Sequence, residues 1–254
     1  MLDDGRYLLF VDILGFSNMV ESQSSDVVYE TICKCLEPFD HWSKRNSQFK
    51  VIYFSDTFVF YQDSNGYGDW AFLDVYAIGG MILSSLLAKG IAARGAISFG
   101  EFVVRPDASR GRDLYYGNAL IEAYKAEQAE NWIGITILAS AWKPFGEDRI
   151  ALFEREGVWK RRDDVLFLNP FIRLLGWYDH AKLGEIEGPM EEWDVPEFPN
   201  DIAGFRFLHQ KASEYAESND FTSRIATKYH STIHFLREVF DFRYDWACEV
   251  AKVK

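Results

Sequence analysis

What this sequence has little of narrows its class first. Cysteine is scarce: three in 254 residues. Cys33, Cys35 and Cys248 are odd in number and lack zinc-ligand spacing, which speaks against a disulfide scaffold or a zinc module and fits a reducing compartment. The N-terminus has acidic residues before a short apolar run and lacks the basic region of a secretory leader. No apolar run approaches the length of a membrane span. The expectation is a soluble, cytoplasmic protein. Positive charge is also short, 27 Lys and Arg against 39 Asp and Glu, for a formal charge of −12. Such a chain repels nucleic acid and anionic membranes, so neither is expected as a partner. Internal repeats and low-complexity tracts are missing too.

What is there builds a core. Hydrophobic residues make up 48% and aromatics 17%, enough for one large domain or a domain with an appendage. Tyr7 to Val11 reads as a buried strand that ends at Asp12, with Gly15 permitting a tight turn behind it. Val28, Ile32, Cys35, Leu36, Phe39 and Trp42 recur at helical spacing, with Ser24 or Ser25 as cap. Phe49 to Tyr61 reads as two short strands around a tight turn at Ser55-Asp56-Thr57. Trp70 to Leu87 is a helix whose Gly79-Gly80 pair requires close packing, and Gly90 stops it. Ile91 to Val104 reads as one long strand, followed by a polar loop over Arg105 to Arg112 and a helix over Ala119 to Glu130. Ile133, Ile135 and Ile137 alternate as a strand, and a short helix fits Ala139 to Phe145. Further strand candidates lie at Ala151–Phe153, Val158–Lys160 and Val165–Leu168. Interleaved helices and hairpins make this an α+β chain with a mixed, mostly antiparallel sheet. Composition shifts near Leu175. A Pro-rich acidic stretch from Gly184 to Asn200 reads as a surface loop, and helices on Phe205–Tyr215 and Ile225–Phe240 follow. The expected division is a domain over 1–175 and a helical extension over 176–254, packed on that domain or on a partner subunit.

Two carboxylates organise the chemistry. Asp12 ends one apolar strand and Asp56 interrupts another that is its expected neighbour. Taken alone, Asp12 suits either a cap for the following helix or a metal ligand. As a pair, Asp12 and Asp56 can hold two divalent cations, with the Ile13 carbonyl completing one shell, since hard cations accept carbonyl oxygen.

Phe10-Val11-Asp12-Ile13-Leu14-Gly15-Phe16 resembles the first metal-binding signature of the class III nucleotide cyclases. Phe54-Ser55-Asp56-Thr57 resembles the second, with Ser55 where glycine is usual. Arg94-Gly95-Ala96-Ile97-Ser98-Phe99-Gly100 resembles the glycine-bearing core strand. Gly117-Asn118 through Lys125 resembles the helix that reaches the triphosphate. The matches cover roughly residues 7 to 170 in order. Three positions depart from the purine enzymes: Ile52 stands where a base-selecting Lys is usual, Ile121 where Asn is usual, and Lys125 where the transition-state Arg is usual. The pattern is most similar to the bacterial Pycsar antiphage pyrimidine cyclases.

The resemblance implies a ferredoxin-like cyclase core with a C-terminal helical extension and two Mg²⁺ or Mn²⁺ ions. It also implies a homodimer with composite active sites, and a separate effector that senses the diffusible cyclic product. The implied reaction is UTP to 3′,5′-cyclic UMP and pyrophosphate. CTP, a purine substrate, and a catalytically silent nucleotide-binding module are the alternatives. Asp12, Asp56 and Lys125 are the expected catalytic residues, and Asp12, Ile13 and Asp56 the metal ligands. Tyr53, Arg94 and Asn118 are the expected substrate contacts. Each secondary residue has a structural role open to it as well: Lys125 a solvated helix charge, Asn118 a helix cap, Arg94 an ion pair, Tyr53 core packing. His230 and His234, four apart on one helix, make no convincing metal site.

Overall fold

The computed structural model describes residues 5–44, 49–63, 69–182, 198–217 and 223–253. The strands are β1 (Gly5–Ile13), β2 (Phe49–Phe54), β3 (Thr57–Asp63), β4 (Ala93–Glu101), β5 (Val103–Asp107), β6 (Arg112–Tyr116), β7 (Gly134–Ile137), β8 (Trp159–Arg162) and β9 (Val165–Leu168). The helices are α1 (Phe16–Ser22), α2 (Ser25–Ser43), α3 (Asp69–Ala88), α4 (Asn118–Ala129), α5 (Ala139–Trp142), α6 (Glu147–Arg155), α7 (Ile172–Lys182), α8 (Phe198–Glu217), α9 (Arg224–Phe240) and α10 (Tyr244–Ala251). Seven strands form one sheet in the order β2-β3-β1-β4-β7-β9-β8. Only the β4–β7 pairing within it is parallel. β5 and β6 form a separate hairpin. The mixed, mostly antiparallel sheet flanked by helices, with helices added at the C-terminal end, is the expected fold.

Strand alternation divides β1 between two layers. Tyr7, Leu9, Val11 and Ile13 join the large core with α2, α3 and the C-terminal helices. Leu8 and Phe10 join a smaller cluster with Val59, Tyr61, Ala96, Ala119 and Ala123, beneath α4. Asp12 follows Phe10 at a two-residue step and therefore belongs to the α4 layer. Both ends of α4 are fixed to β4. Ser98 donates its hydroxyl to the Ala119 carbonyl at 2.8 Å, and Arg94 pairs with Glu127 at the other end. Gly117 opens α4 at φ 148, where a Cβ would come within 2.2 Å of the Glu101 carbonyl oxygen. Glycine is required there both by conformation and by space.

The expected hairpin at Asp56 and the helix over α3 are present. Gly79 of α3 packs on Leu9 and Ile135, the close approach its composition demanded. Ser24 caps α2 by accepting from the Val27 amide at 3.4 Å. The stretch 45–48, the loop 64–68 and most of the acidic Pro-rich stretch, 184–197, lie outside the described residues.

Four expectations need correction. The long strand over Ile91 to Val104 breaks at Phe102, whose ring turns inward against Tyr61. The polar loop from Arg105 to Arg112 is mostly the β5–β6 hairpin, whose polar edge residues disguised it. Ala151–Phe153 is helical within α6: Glu147 and Asp148 favour its N-terminus and Ile150 anchors it in the core. Three adjacent apolar residues cannot separate strand from helix. Finally, Trp70–Ala88 is long and apolar enough to cross a membrane by composition, with a mean hydropathy of 1.7. Its apolar faces are taken up here by the sheet and by α8.

Leu175, the expected boundary, falls inside α7. Leu174, Leu175, Phe205, Leu208, Leu236 and Phe240 share one core cluster with Ile78, Ile82 and Leu83 of α3. A buried polar contact reinforces that packing. Asp201 of α8 accepts from the Ser84 hydroxyl of α3 and from Arg173 Nε of α7, the latter at 2.9 Å.

Candidate active site

Asp12 and Asp56 lie near one another at one end of the inner strands of the sheet. β1 and β3 are paired through Asp12 and Thr57, which places Asp56, in the β2–β3 turn, just past the end of β1. The Ile13 amide then donates to the Asp56 carbonyl at 2.9 Å. Ser55 takes the left-handed conformation in this turn, φ 58. That explains the usual glycine of the resembling motif: an L side chain is disfavoured there. Asp12 does not cap α1, whose N-cap is Gly15 at φ 77 with no side-chain bond. Its capping role is thereby excluded, leaving the carboxylate available to a ligand.

The Asp12 carboxyl is pushed up to about 6, first by burial, then by the negative charges of Glu127 and Asp56, with Arg94 and Lys228 opposing. An excess of negative charge thus surrounds it. Arg94, opposite Asp12 on β4, lies 4.0 Å from it through Nε. The same nitrogen contacts Glu127, and Nη1 donates to the Glu130 carbonyl at 3.3 Å. The ion pair open to Arg94 is formed. Gly95 beside it has no room for a side chain: a Cβ would sit 2.3 Å from the Phe10 carbonyl oxygen. The close approach is by a neighbouring strand.

Two members of this cluster escaped the sequence reading. Glu127 is fully buried and Lys228, from α9, is 8% exposed. Burial raises Glu127 and lowers Lys228, and each is partly offset by the other's charge. The spacing of Ala119, Ala123 and Glu127, four residues apart, was the available signal that Glu127 lies on the buried line of α4. Nothing local marks Lys228. It is positioned through Thr232 one turn on, whose Oγ1 accepts from the Ile133 amide at 2.8 Å at the entry to β7.

The remaining expected residues lie outside this cluster. Tyr53 is stacked on Phe58 at 4.8 Å, on the α2 side of the sheet. Its hydroxyl is nevertheless close enough to Asp56 to be raised by it, after burial. Asn118 is exposed, and the N-cap of α4 is Gly117 without a side-chain bond, so Asn118 does not serve as the cap. Lys125 is exposed, as is Ile121, on the face of α4 opposite Ala119, Ala123 and Glu127. Ile52 packs into the α4-side cluster with Leu8 and Phe10. His234 pairs with Glu238 at 3.8 Å. Arg161 pairs with Glu147 and Glu154, and Arg162 with Glu238.

The donor set fits a hard divalent cation. It is all oxygen, and it carries uncompensated negative charge. Among the described residues no group of three or more His, Cys, Asp or Glu converges. One or two carboxylates are the set by which Mg²⁺ is held when substrate phosphates and water complete its shell.

No protein-family model matches the chain, and no curated protein does. Solved structures do. The guanylate cyclase domain of RhGC from Catenaria anguillulae, in complex with GTP, is similar at 15% identity, covering 66% of this chain and 97% of that one with a TM-score of 0.51. A dimeric guanylyl cyclase domain of the RhoGC fusion protein from the aquatic fungus Blastocladiella emersonii is similar at 14% identity, covering 65% and 96%, also with a TM-score of 0.51. The fold is therefore that of the class III nucleotide cyclase catalytic domain. About a third of the chain lies beyond the matched part.

Proposed function

We propose that this protein is a metal-dependent pyrimidine nucleotide cyclase, converting UTP to 3′,5′-cyclic UMP and pyrophosphate. One observation carries the reading: Asp12 and Asp56, joined through the Ile13–Asp56 backbone bond, lie together at one end of the inner strands of a class III cyclase-like fold. In the reaction the ribose 3′-oxygen bonds to the α-phosphorus, the bond to the pyrophosphate oxygen breaks, and the hydroxyl proton is lost. Asp12, Asp56 and the Ile13 carbonyl would hold divalent cations, which when bound would activate the hydroxyl and neutralise phosphate charge. The chain's own task is to hold the segments that carry the two carboxylates side by side, through the Ile13–Asp56 backbone bond. No protein nucleophile is needed.

The choice of a pyrimidine rests on Ile52 and Ile121. Ile52 belongs to the apolar cluster beneath α4 and brings no charged group to a base. Ile121 is half-exposed and brings no amide. The two solved neighbours named above are guanylyl cyclases, so the pyrimidine reading rests on these departures and not on the fold. Lys125 and Ile121 face away from their own chain's sheet, alongside exposed Tyr124. That supports a homodimer in which Lys125 serves the partner's substrate. A pyrimidine cyclic nucleotide released in the cytoplasm would act through a separate effector, as in antiphage defence.

Purified protein incubated with each of the four nucleoside triphosphates and Mn²⁺ or Mg²⁺, with products identified by mass, tests the assignment. Cyclic UMP as the main product is expected. Cyclic CMP alone would move the substrate to CTP. A product from ATP or GTP alone would sink the pyrimidine reading, and no product from any of the four would sink the enzyme reading.

A further inference from the structure

Arg94 is a hazard to the site it borders. A buried guanidinium seeks a carboxylate, and a forked Arg–carboxylate pair occupies both oxygens of its partner. Full engagement of Asp12 by Arg94 would take up the lone pairs that a cation needs. That has not happened: Arg94 Nε stands 4.0 Å from Asp12 while it contacts Glu127. Glu127 and Arg94 are in direct contact. The Glu130 carbonyl holds the other arm of the guanidinium at 3.3 Å. Both restraints come from the C-terminal end of α4, where backbone carbonyls favour a cation. Lys228 adds a second positive charge to the cluster, interacting with both Glu127 and Asp12. The fully buried Glu127 is thus the counter-charge for a guanidinium that would otherwise be drawn to Asp12.

We infer that Glu127 is a positioning residue: it holds Arg94 off Asp12, and so keeps the Asp12 carboxylate open to a divalent cation. This rests on the metal-centre reading above. The carboxylate acts through Arg94 and touches neither substrate nor metal. Its effect has the same sign as a simple charge argument and differs from it in size and in its dependence on Arg94. Removing a negative charge near a cation site weakens binding slightly through Coulomb attraction, whoever its neighbours are. Releasing a competitor onto a metal ligand weakens binding strongly, and only while that competitor is present.

The distinction gives the test. Mn²⁺ binding to the full-length protein is followed without nucleotide by the loss of the free-ion EPR signal. The proteins compared are wild type, Asp12→Asn, Glu127→Gln, Glu127→Asp and the double variant Glu127→Gln/Arg94→Met. Glu127→Gln is expected to weaken Mn²⁺ binding about 10-fold or more, the usual range for an outer-shell partner. The double variant, with the competitor gone and an apolar side chain in its place, is expected to recover most of the loss. Glu127→Asp, which keeps the charge, is expected to recover part of it. A crystal structure of metal-free Glu127→Gln should show Arg94 in direct contact with Asp12. Wild-type affinity in Glu127→Gln, or a double variant no better than Glu127→Gln, would overturn the inference while leaving the metal centre standing. Wild type binding no better than Asp12→Asn would remove the metal centre, and this inference with it.

Discussion

The amide of Ile13 donates to the carbonyl of Asp56 at 2.9 Å. The bond is made backbone to backbone, across the end of β1 and the β2–β3 turn. Register between the two carboxylate-bearing segments therefore does not depend on either carboxylate. Asp56→Asn keeps the bond, the turn and nearly the same volume, and removes only the charge. Turnover of nucleoside triphosphate should fall at least ~100-fold, since one lost cation contact forfeits several kcal/mol of transition-state stabilisation. The melting temperature should stay close to that of wild type. Product formation within a few-fold of wild type would remove Asp56 from the chemistry.

The charge on Asp12 destabilises the metal-free protein. Its carboxyl titrates at about 6 in the folded state against 3.8 for a free side chain. Between these values the folded protein holds more protons than the unfolded chain. Stability therefore declines as pH rises through that window, and the loss persists above about pH 6. Asp12→Asn removes it. The variant should be more stable than wild type at pH 7.5 by about 1–2 kcal/mol. That is less than the full equivalent of the shift because water reaches the carboxylate. The difference should vanish below about pH 4. Adding Mn²⁺ should raise the melting temperature of wild type and leave that of Asp12→Asn unchanged. A variant less stable than wild type at pH 7.5 would contradict this balance.

Ser55 at φ 58 costs backbone energy that glycine would not. Ser55→Gly relieves about 1 kcal/mol of left-handed strain and gives back part of it as unfolded-chain entropy, for a net gain of about 0.5 kcal/mol in chemical denaturation. Ser55→Val, with a branched Cβ in the same conformation, should lose at least ~1 kcal/mol. If the two variants fall on the same side of wild type, the turn is not held in the left-handed region in solution.

How much of this was readable without coordinates follows from range. Asp12 and Asp56 could be found because each is defined locally, by an apolar strand that stops and a hairpin that turns. The sheet supplies their proximity as soon as β1 and β3 are neighbours. Gly117 was legible as a helix start but not as a contact, since its need for glycine comes from Glu101 across a chain crossing. Glu127 lies in a helix rich in Ala, Glu and Lys, where one more Glu reads as solvated. Only the four-residue spacing with Ala119 and Ala123 distinguishes it. Lys228 was beyond reach: it enters the cluster because Thr232 docks on Ile133, a contact 99 residues away in sequence. The β5–β6 hairpin was hidden because its strands are short, polar at the edge and outside the main sheet.

Asp201 joins three helices that the sequence divides between two units. Its carboxylate is fully buried, with Ser84 of α3 on one side and Arg173 of α7 on the other. Around it Phe171 packs edge-on to Phe205 at 5.7 Å, so the polar contact sits within a continuous apolar seam. Asp201→Ala leaves a cavity and strips Arg173 of that acceptor. A fully buried broken pair costs about 3–5 kcal/mol. Arg173 retains some access to water, at 22% exposure of its side chain, so about 2–3 kcal/mol is expected here. For a chain of this size that lowers the melting temperature by about 5–10 °C. The informative feature is the shape of the transition. If α8 and α9 share one cooperative unit with the sheet, calorimetry should show a single transition that moves as a whole, with Lys228 leaving the Asp12 cluster only when the sheet itself melts. A separate early transition, with the sheet unfolding at its original temperature, would make the helices an independent module and break the route by which they reach the Asp12 cluster.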